Sequence, residues 1–158
     1  MNRAEKFFGT LVVVGGFALG TQSIQPVQAS TRIQPASAVS QGGIAREYRG
    51  IKLGMKKEEV RSKLGKPETS EDASDDFKLG GEDTMTVRYE GDAVRAIQVA
   101  ILDPKNAPAW KEIVGDAEIN EMANGAKAAR QTLAEEKLFV SMYQNKEGTI
   151  TRITISRM

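Results

Sequence analysis

Apolar and polar positions alternate most regularly between residues 84 and 102. In 84–90 (TMTVRYE), Met85, Val87 and Tyr89 fall on one side and Thr86 and Arg88 on the other, the period-two pattern of a half-buried strand. A Gly-Asp turn follows, and 93–102 returns with Ile97, Val99 and Ile101 on one face. This predicts a hairpin with one buried face. The stretch 76–81 reads as a short preceding strand. At the other end of the chain, 137–144 and 149–156 flank NKEG and predict a closing hairpin.

Other segments carry a helical spacing. Ile44, Tyr48, Ile51 and Leu53 suggest a short helical turn running into a loop. In 53–68 (LGMKKEEVRSKLGKPE), Val60 and Leu64 stand at i, i+4 and share one helix face. Gly65 suits the C′ position, and Pro67 prevents continuation. Lys56 occupies the expected N-cap and cannot accept an amide hydrogen, so only the Glu59 half of a capping box remains. Trp110, Ile113 and Val114 predict a short helix that anchors an indole. A longer helix is expected over 116–133, with Asp116 as its cap and Ile119, Met122, Ala126, Ala129 and Leu133 as its buried stripe. The acidic run 68–76 (ETSEDASDD) reads as a solvated loop.

These elements predict an α+β fold of short helices packed on an antiparallel sheet. The two hairpins are alike. One ends its first strand in Tyr89 and continues with Val94, Ile97 and Val99; the other ends in Tyr143 and continues with Ile150, Ile153 and Ile155. With a helix before each, the plan reads as a tandem helix–hairpin repeat with half-repeats 44–102 and 108–158. Chance similarity between two amphipathic hairpins is the alternative.

The N-terminus changes the picture. Arg3 and Lys6 precede an apolar stretch at 7–20, and Val27-Gln28-Ala29 precedes Ser30. This is the layout of a signal peptide at 1–29 cleaved after Ala29. The apolar stretch is shorter than the ~18 residues of a spanning helix. A Ser/Gln/Ala/Gly-rich segment, 30–43, reads as a flexible linker, and 44–158 as the folded domain. The expected location is the periplasm or the extracellular space, with no membrane span after processing. An uncleaved anchor is the other reading of the same residues.

Composition then removes chemistries. The chain of 158 residues contains no Cys and no His, which excludes Cys nucleophiles, imidazole bases, disulfides, lipidation at a lipobox Cys and the usual zinc ligand sets. Loss of 1–29 takes away Arg3, Lys6 and Glu5, so the formal charge of +1 becomes zero. That argues against a nucleic-acid partner. The acidic run lacks the ligand order of a calcium loop. No cofactor and no metal are expected. An enzyme working through Asp75 or Asp76 paired with Glu82 would need two carboxyls of separated pKa in a cleft, which a flexible acidic loop does not supply.

The stretch 53–68 resembles the signature of the BamE (SmpA/OmlA) small envelope proteins and the related repeats of the β-lactamase inhibitor protein. Gly54, Met55, Val60, Leu64, Gly65 and Pro67 match its Gly-Met start, helical Val and Leu-Gly-x-Pro end; the Thr expected after Met is Lys56 here. The resemblance implies a structural role for these residues and a non-enzymatic module that binds another envelope or secreted protein. A secreted hydrolase inhibitor is the alternative, with the acidic run at 71–76 as its presented loop. Aromatic and Arg side chains dominate contact hot spots, which makes Arg88, Tyr89, Arg95, Trp110 and Tyr143 the candidate contact residues. A core position is the competing expectation for Tyr89 and Trp110.

Overall fold

A computed structural model describes residues 43–158. The signal peptide and nearly all of the linker expected above lie outside the described residues. The structure begins with a minimal hairpin, β1 Glu47–Tyr48 and β2 Ile51–Lys52, where a helical turn was expected. Arg49 and Gly50 both take positive φ, 48° and 75°, the requirement of a tight two-residue hairpin turn. The turn places Tyr48 opposite Ile51. A spacing of three therefore brings two apolar residues together by chain reversal as well as by a helix.

Helix α1, Lys57–Leu64, is the helix expected from the sequence. Val60 is fully buried and Leu64 packs at the edge of the core. Gly65, at φ 86°, ends it, and its amide donates to the Arg61 carbonyl at 2.9 Å. The residues ahead of the helix pair with the turn that begins a later strand. The Gly54 amide donates to the Val94 carbonyl, the Val94 amide to that of Met55, and the Lys57 amide to that of Asp92. The Gly-Met start thus fastens the helix to the sheet through the backbone.

Four strands follow: β3 Thr69–Ser70, β4 Ser74–Gly80, β5 Asp83–Glu90 and β6 Ala93–Ile101. The acidic run expected as a solvated loop is instead the β3–β4 hairpin, and Asp75 within it is fully buried. A short 3-10 turn at Pro104–Asn106 and α2, Trp110–Val114, lead to β7 Asn120–Glu121, β8 Lys127–Leu133, β9 Leu138–Gln144 and β10 Thr151–Arg157.

The helix expected over 116–133 does not form; the segment is the β7–β8 hairpin. Gly125 at φ 78° turns the chain, and the Met122 amide donates to the Ala126 carbonyl across it. Asn124-Gly125 was the turn signal, and the three–four apolar spacing across it was coincidental. Ile119 and Met122 are each 45% exposed, so the expected stripe is not a buried seam. Pairing along the whole length of β9 supplies the backbone partners that a helix would have supplied internally.

The sheet order is β3-β4-β5-β6-β10-β9-β8-β7, antiparallel throughout. The fold is thus one eight-stranded antiparallel sheet with two short helices, and the expected helix–hairpin repeat with helices packed on the sheet is overturned. Four strands follow each helix where one hairpin was expected. Both expected hairpins are present, as β5–β6 and β9–β10, and their second strands meet at the centre of the sheet with Ile153 opposite Val99 and Ile155 opposite Ile97.

One face of the sheet holds the core. Phe77, Met85, Val87, Ile97, Val99, Ile101, Val140, Met142, Ile153 and Ile155 pack there with Val60 of α1, Ile113 and Val114 of α2, and Tyr48 and Ile51. At the α2 end, Gly43 and Gly115 approach closely. A Cβ on Gly115, at φ 62°, would stand 2.9 Å from the Gly43 carbonyl oxygen. The entering chain is held there by the Ala45 amide donating to the Ile113 carbonyl at 2.8 Å.

Candidate functional site

Two groups of residues carry chemistry: a buried ionic cluster behind α1, and the open face of the sheet.

The cluster is centred on Asp75, whose side chain is inaccessible. Arg61, one turn into α1 from Lys57, reaches it with two bonds of 2.8 Å, from Nε and Nη2. Ser70 Oγ donates at 2.7 Å and Tyr89 Oη at 3.1 Å. Lys57 Nζ lies 4.0 Å from the carboxylate and 5.0 Å from the centre of the Tyr89 ring. The Arg61 bonds hold the Asp75 carboxyl at a pKa of about 2 against the opposing effect of burial, with Ser70 and Tyr89 assisting. Burial and the neighbouring carboxylate push the Tyr89 phenol up, and the bonds to Asp75 raise Arg61. Every acceptor direction of the carboxylate is engaged, so this arrangement holds a charge and is not poised to move a proton. Asp76, the next residue, lies on the opposite side of β4, where it accepts from the Thr86 hydroxyl. The two Asp residues considered with Glu82 therefore sit on opposite sheet faces, and Glu82 is exposed in the turn before β5.

The open face is built by the pleat. The ladder sets its residues in three rows across six strands. One row is Ser74, Arg88, Ala96, Ser156, Phe139 and Thr132; the next is Asp76, Thr86, Gln98, Thr154, Ser141 and Arg130; the third is Lys78, Thr84, Ala100, Arg152, Tyr143 and Ala128. The middle row is polar from end to end. Small residues at the centre leave two hollows. One, of about 420 Å³, is lined by Asn120, Met122, Ala128, Arg130, Ser141 and Tyr143. The other, of about 400 Å³, is lined by Thr84, Thr86, Gln98, Ala100, Arg152 and Thr154. Tyr143 lines the first and Arg152 the second, and the two residues are directly paired across β9 and β10. Among the described residues, Arg88, Arg130 and Arg152 make no ion pair.

The five candidate contact residues separate. Arg88 and Tyr143 lie on the open face. Tyr89 is 6% exposed on the core face, bonded to Asp75. Trp110 is half-buried against the core at the start of α2. Arg95 is exposed where the β5–β6 register shifts, 3.8 Å from Glu90. The six motif residues are not gathered into a pocket: Val60 is core, Met55 and Leu64 border it, and Gly65 and Pro67 line the shallow surface beside Arg61. Arg130 is hidden in the sequence, because the three–four apolar spacing around it predicts a helix where β8 forms. Arg152 was available from the alternation in 149–156, which puts it on the polar side with Thr154. No group of acidic side chains suited to a metal ion occurs among the described residues, and no described helix is long and apolar enough to cross a membrane.

No protein-family model, no curated protein and no solved structure matches this chain.

Proposed function

We propose that this chain is a non-enzymatic protein-binding module of the periplasm or the extracellular space, and that the open face of its sheet is the contact surface. The proposal keeps the expectation that 1–29 is a cleaved signal peptide and that the module resembles the BamE-like envelope proteins in its helix motif. An antiparallel sheet with one face in water is ordinary. The supporting observation is the chemistry of that face: three arginines without ion-pair partners among the described residues, a tyrosine lining one of two hollows, and rows of hydroxyl and amide side chains able to exchange hydrogen bonds with another surface. Arg and Tyr are the side chains that most often anchor protein interfaces.

Site-specific photo-cross-linking in the native cells tests this. A photoreactive residue at Ser141 or Thr154 is expected to give a discrete protein adduct, and one at Glu82, in the exposed β4–β5 turn, is not. Absence of adducts from every open-face position, with the protein present at its normal level, would remove the reading.

A further inference from the structure

We infer that the open face takes a short segment of a partner protein that is both acidic and apolar, gripped by Arg130 and Arg152 on either side of Tyr143. This rests on the reading of the open face as a protein contact surface and specifies what binds there.

Cations outnumber carboxylates on that face. Its cations are Lys78, Arg88, Arg130 and Arg152; its carboxylates are Asp76, accepting from Thr86, and Glu90 at the end of β5, 3.8 Å from Arg95. Lys78 is engaged by Glu68 at 3.6 Å. Arg88, Arg130 and Arg152 have no ion-pair partner among the described residues, although the whole chain carries 22 cations against 21 acids. A guanidinium pairs best with a planar carboxylate through two parallel bonds. Arg130 and Arg152 stand on β8 and β10, separated by β9, which puts their backbones about 10 Å apart across the sheet. Acidic side chains two to four residues apart in an extended segment span a comparable distance.

Between the two arginines β9 presents Ser141, paired with Arg130, and the ring of Tyr143, paired with Arg152, with apolar surface beside them. Tyr143 faces Ala128 on one side and Arg152 on the other. Met122, 45% exposed, lines the same hollow. A ligand offering only negative charge would leave these surfaces unused. A long polyanion laid along the rows would also run towards the exposed Glu68, Glu71 and Asp72 beside β3, which repel it. A short polypeptide segment with carboxylates flanking an apolar side chain matches both the arginines and the space between them.

The test is fluorescence anisotropy on the purified chain. The probe is a fluorescein-labelled pentapeptide, Glu-Ser-Leu-Ser-Glu, whose extended form puts both carboxylates and the apolar side chain on one face. Comparisons are the same peptide with lysine for glutamate, dextran sulfate, and phosphatidylglycerol vesicles. The glutamate peptide is expected to bind saturably and more weakly as salt is raised. Arg130→Gln/Arg152→Gln should weaken it roughly tenfold or more, and Arg88→Gln, which lies outside both hollows, by less than about threefold. All variants should keep the parent thermal midpoint, which separates loss of binding from loss of fold. The inference is overturned by no binding up to millimolar peptide, by equal binding of the lysine peptide, by a double variant that binds normally, or by dextran sulfate or vesicles binding more tightly than the peptide. Cross-links from Ser141 or Thr154 that survive in Arg130→Gln/Arg152→Gln would remove the acidic segment and leave the contact surface standing. Their absence from the parent chain would remove both.

Discussion

Arg61 on α1 and Asp75 on β4 form a two-bond ion pair, both contacts 2.8 Å, in which the carboxylate is fully buried and the guanidinium is partly exposed. The pair joins the helix motif to the sheet. Removing the charge with Asp75→Asn takes away charge-assisted bonds from Arg61, Ser70 and Tyr89 and should cost roughly 1.5–3 kcal/mol in urea unfolding. Arg61→Leu should cost more, because it strands a buried carboxylate. The double variant Arg61→Leu/Asp75→Leu should then be less destabilised than the sum of its single variants. Strict additivity would mean that the two groups do not interact.

The same pair sets an acid limit. The Asp75 pKa is lowered in the folded state, to about 2. Its stabilising contribution is therefore complete above the unfolded value of roughly 3.9 and is lost as pH falls towards 2, amounting to roughly 2–3 kcal/mol. Urea midpoints measured between pH 5 and pH 2 should fall steeply in the parent chain and more gently in Asp75→Asn. Parallel curves would assign the acid sensitivity to other carboxylates.

Lys56 stands at the N-cap of α1 with extended backbone, φ −72° and ψ 150°, and makes no side-chain cap bond. Lys56→Thr supplies an acceptor for the free amides of the first turn and should stabilise by about 0.5–2 kcal/mol. The backbone bridge between Lys56 and Ala93 is independent of the side chain and should persist. An unchanged thermal midpoint would show that the amides of this turn are already satisfied by solvent.

Gly115 is held by two constraints, φ 62° and a carbonyl 2.9 Å from where a Cβ would lie. Gly115→Ala should cost about 2 kcal/mol or more, from the left-handed backbone and the displaced Gly43 segment together. Gly65→Ala meets the same backbone constraint with nothing within 4 Å of the new carbon, so its cost should be smaller. Thermal midpoints of the two variants, compared with the parent, give the order.

Ser141 and Met142 are neighbours on β9 with opposite fates: Ser141 lines the open face and Met142 is 1% exposed in the core. Met142→Ala should cost about 2–5 kcal/mol. Ser141→Ala should stay within about ±0.5 kcal/mol. Denaturant unfolding of both variants checks which face is structural. A large effect at Ser141 would mean that the open face is covered.

The parts legible in the sequence were those whose pattern and partners are local. The β5–β6 hairpin was readable because Met85, Val87 and Tyr89 alternate strictly and a Gly-Asp turn closes it. Helix α1 was readable because Val60, Leu64, Gly65 and Pro67 lie within one short stretch. The segment 116–133 misleads, because its apolar spacing outweighs the turn signal at Asn124-Gly125. Its apolar residues fit a helical spacing, and the choice between helix and strand was made by β9, which leaves an edge for β8 to pair with. The charged residues of the motif were equally opaque. Lys57 and Arg61 resemble a solvated helix face in the sequence, and only the placement of β4 brings Asp75 within hydrogen-bond distance of both Arg61 and Tyr89.

By itself the sequence determined the alternation and turns of the β5–β6 and β9–β10 hairpins, which chemistries the absence of Cys and His removes, and how α1 starts and stops. These follow from steric preferences and side-chain chemistry within a few residues. Tertiary structure decided the rest: the eight-strand order, the burial of Asp75, and the gathering of Arg130, Tyr143 and Arg152 onto one open face. Those depend on which strands become neighbours. Strand pairing joins backbone groups far apart along the chain, and no local pattern records which partner will supply them.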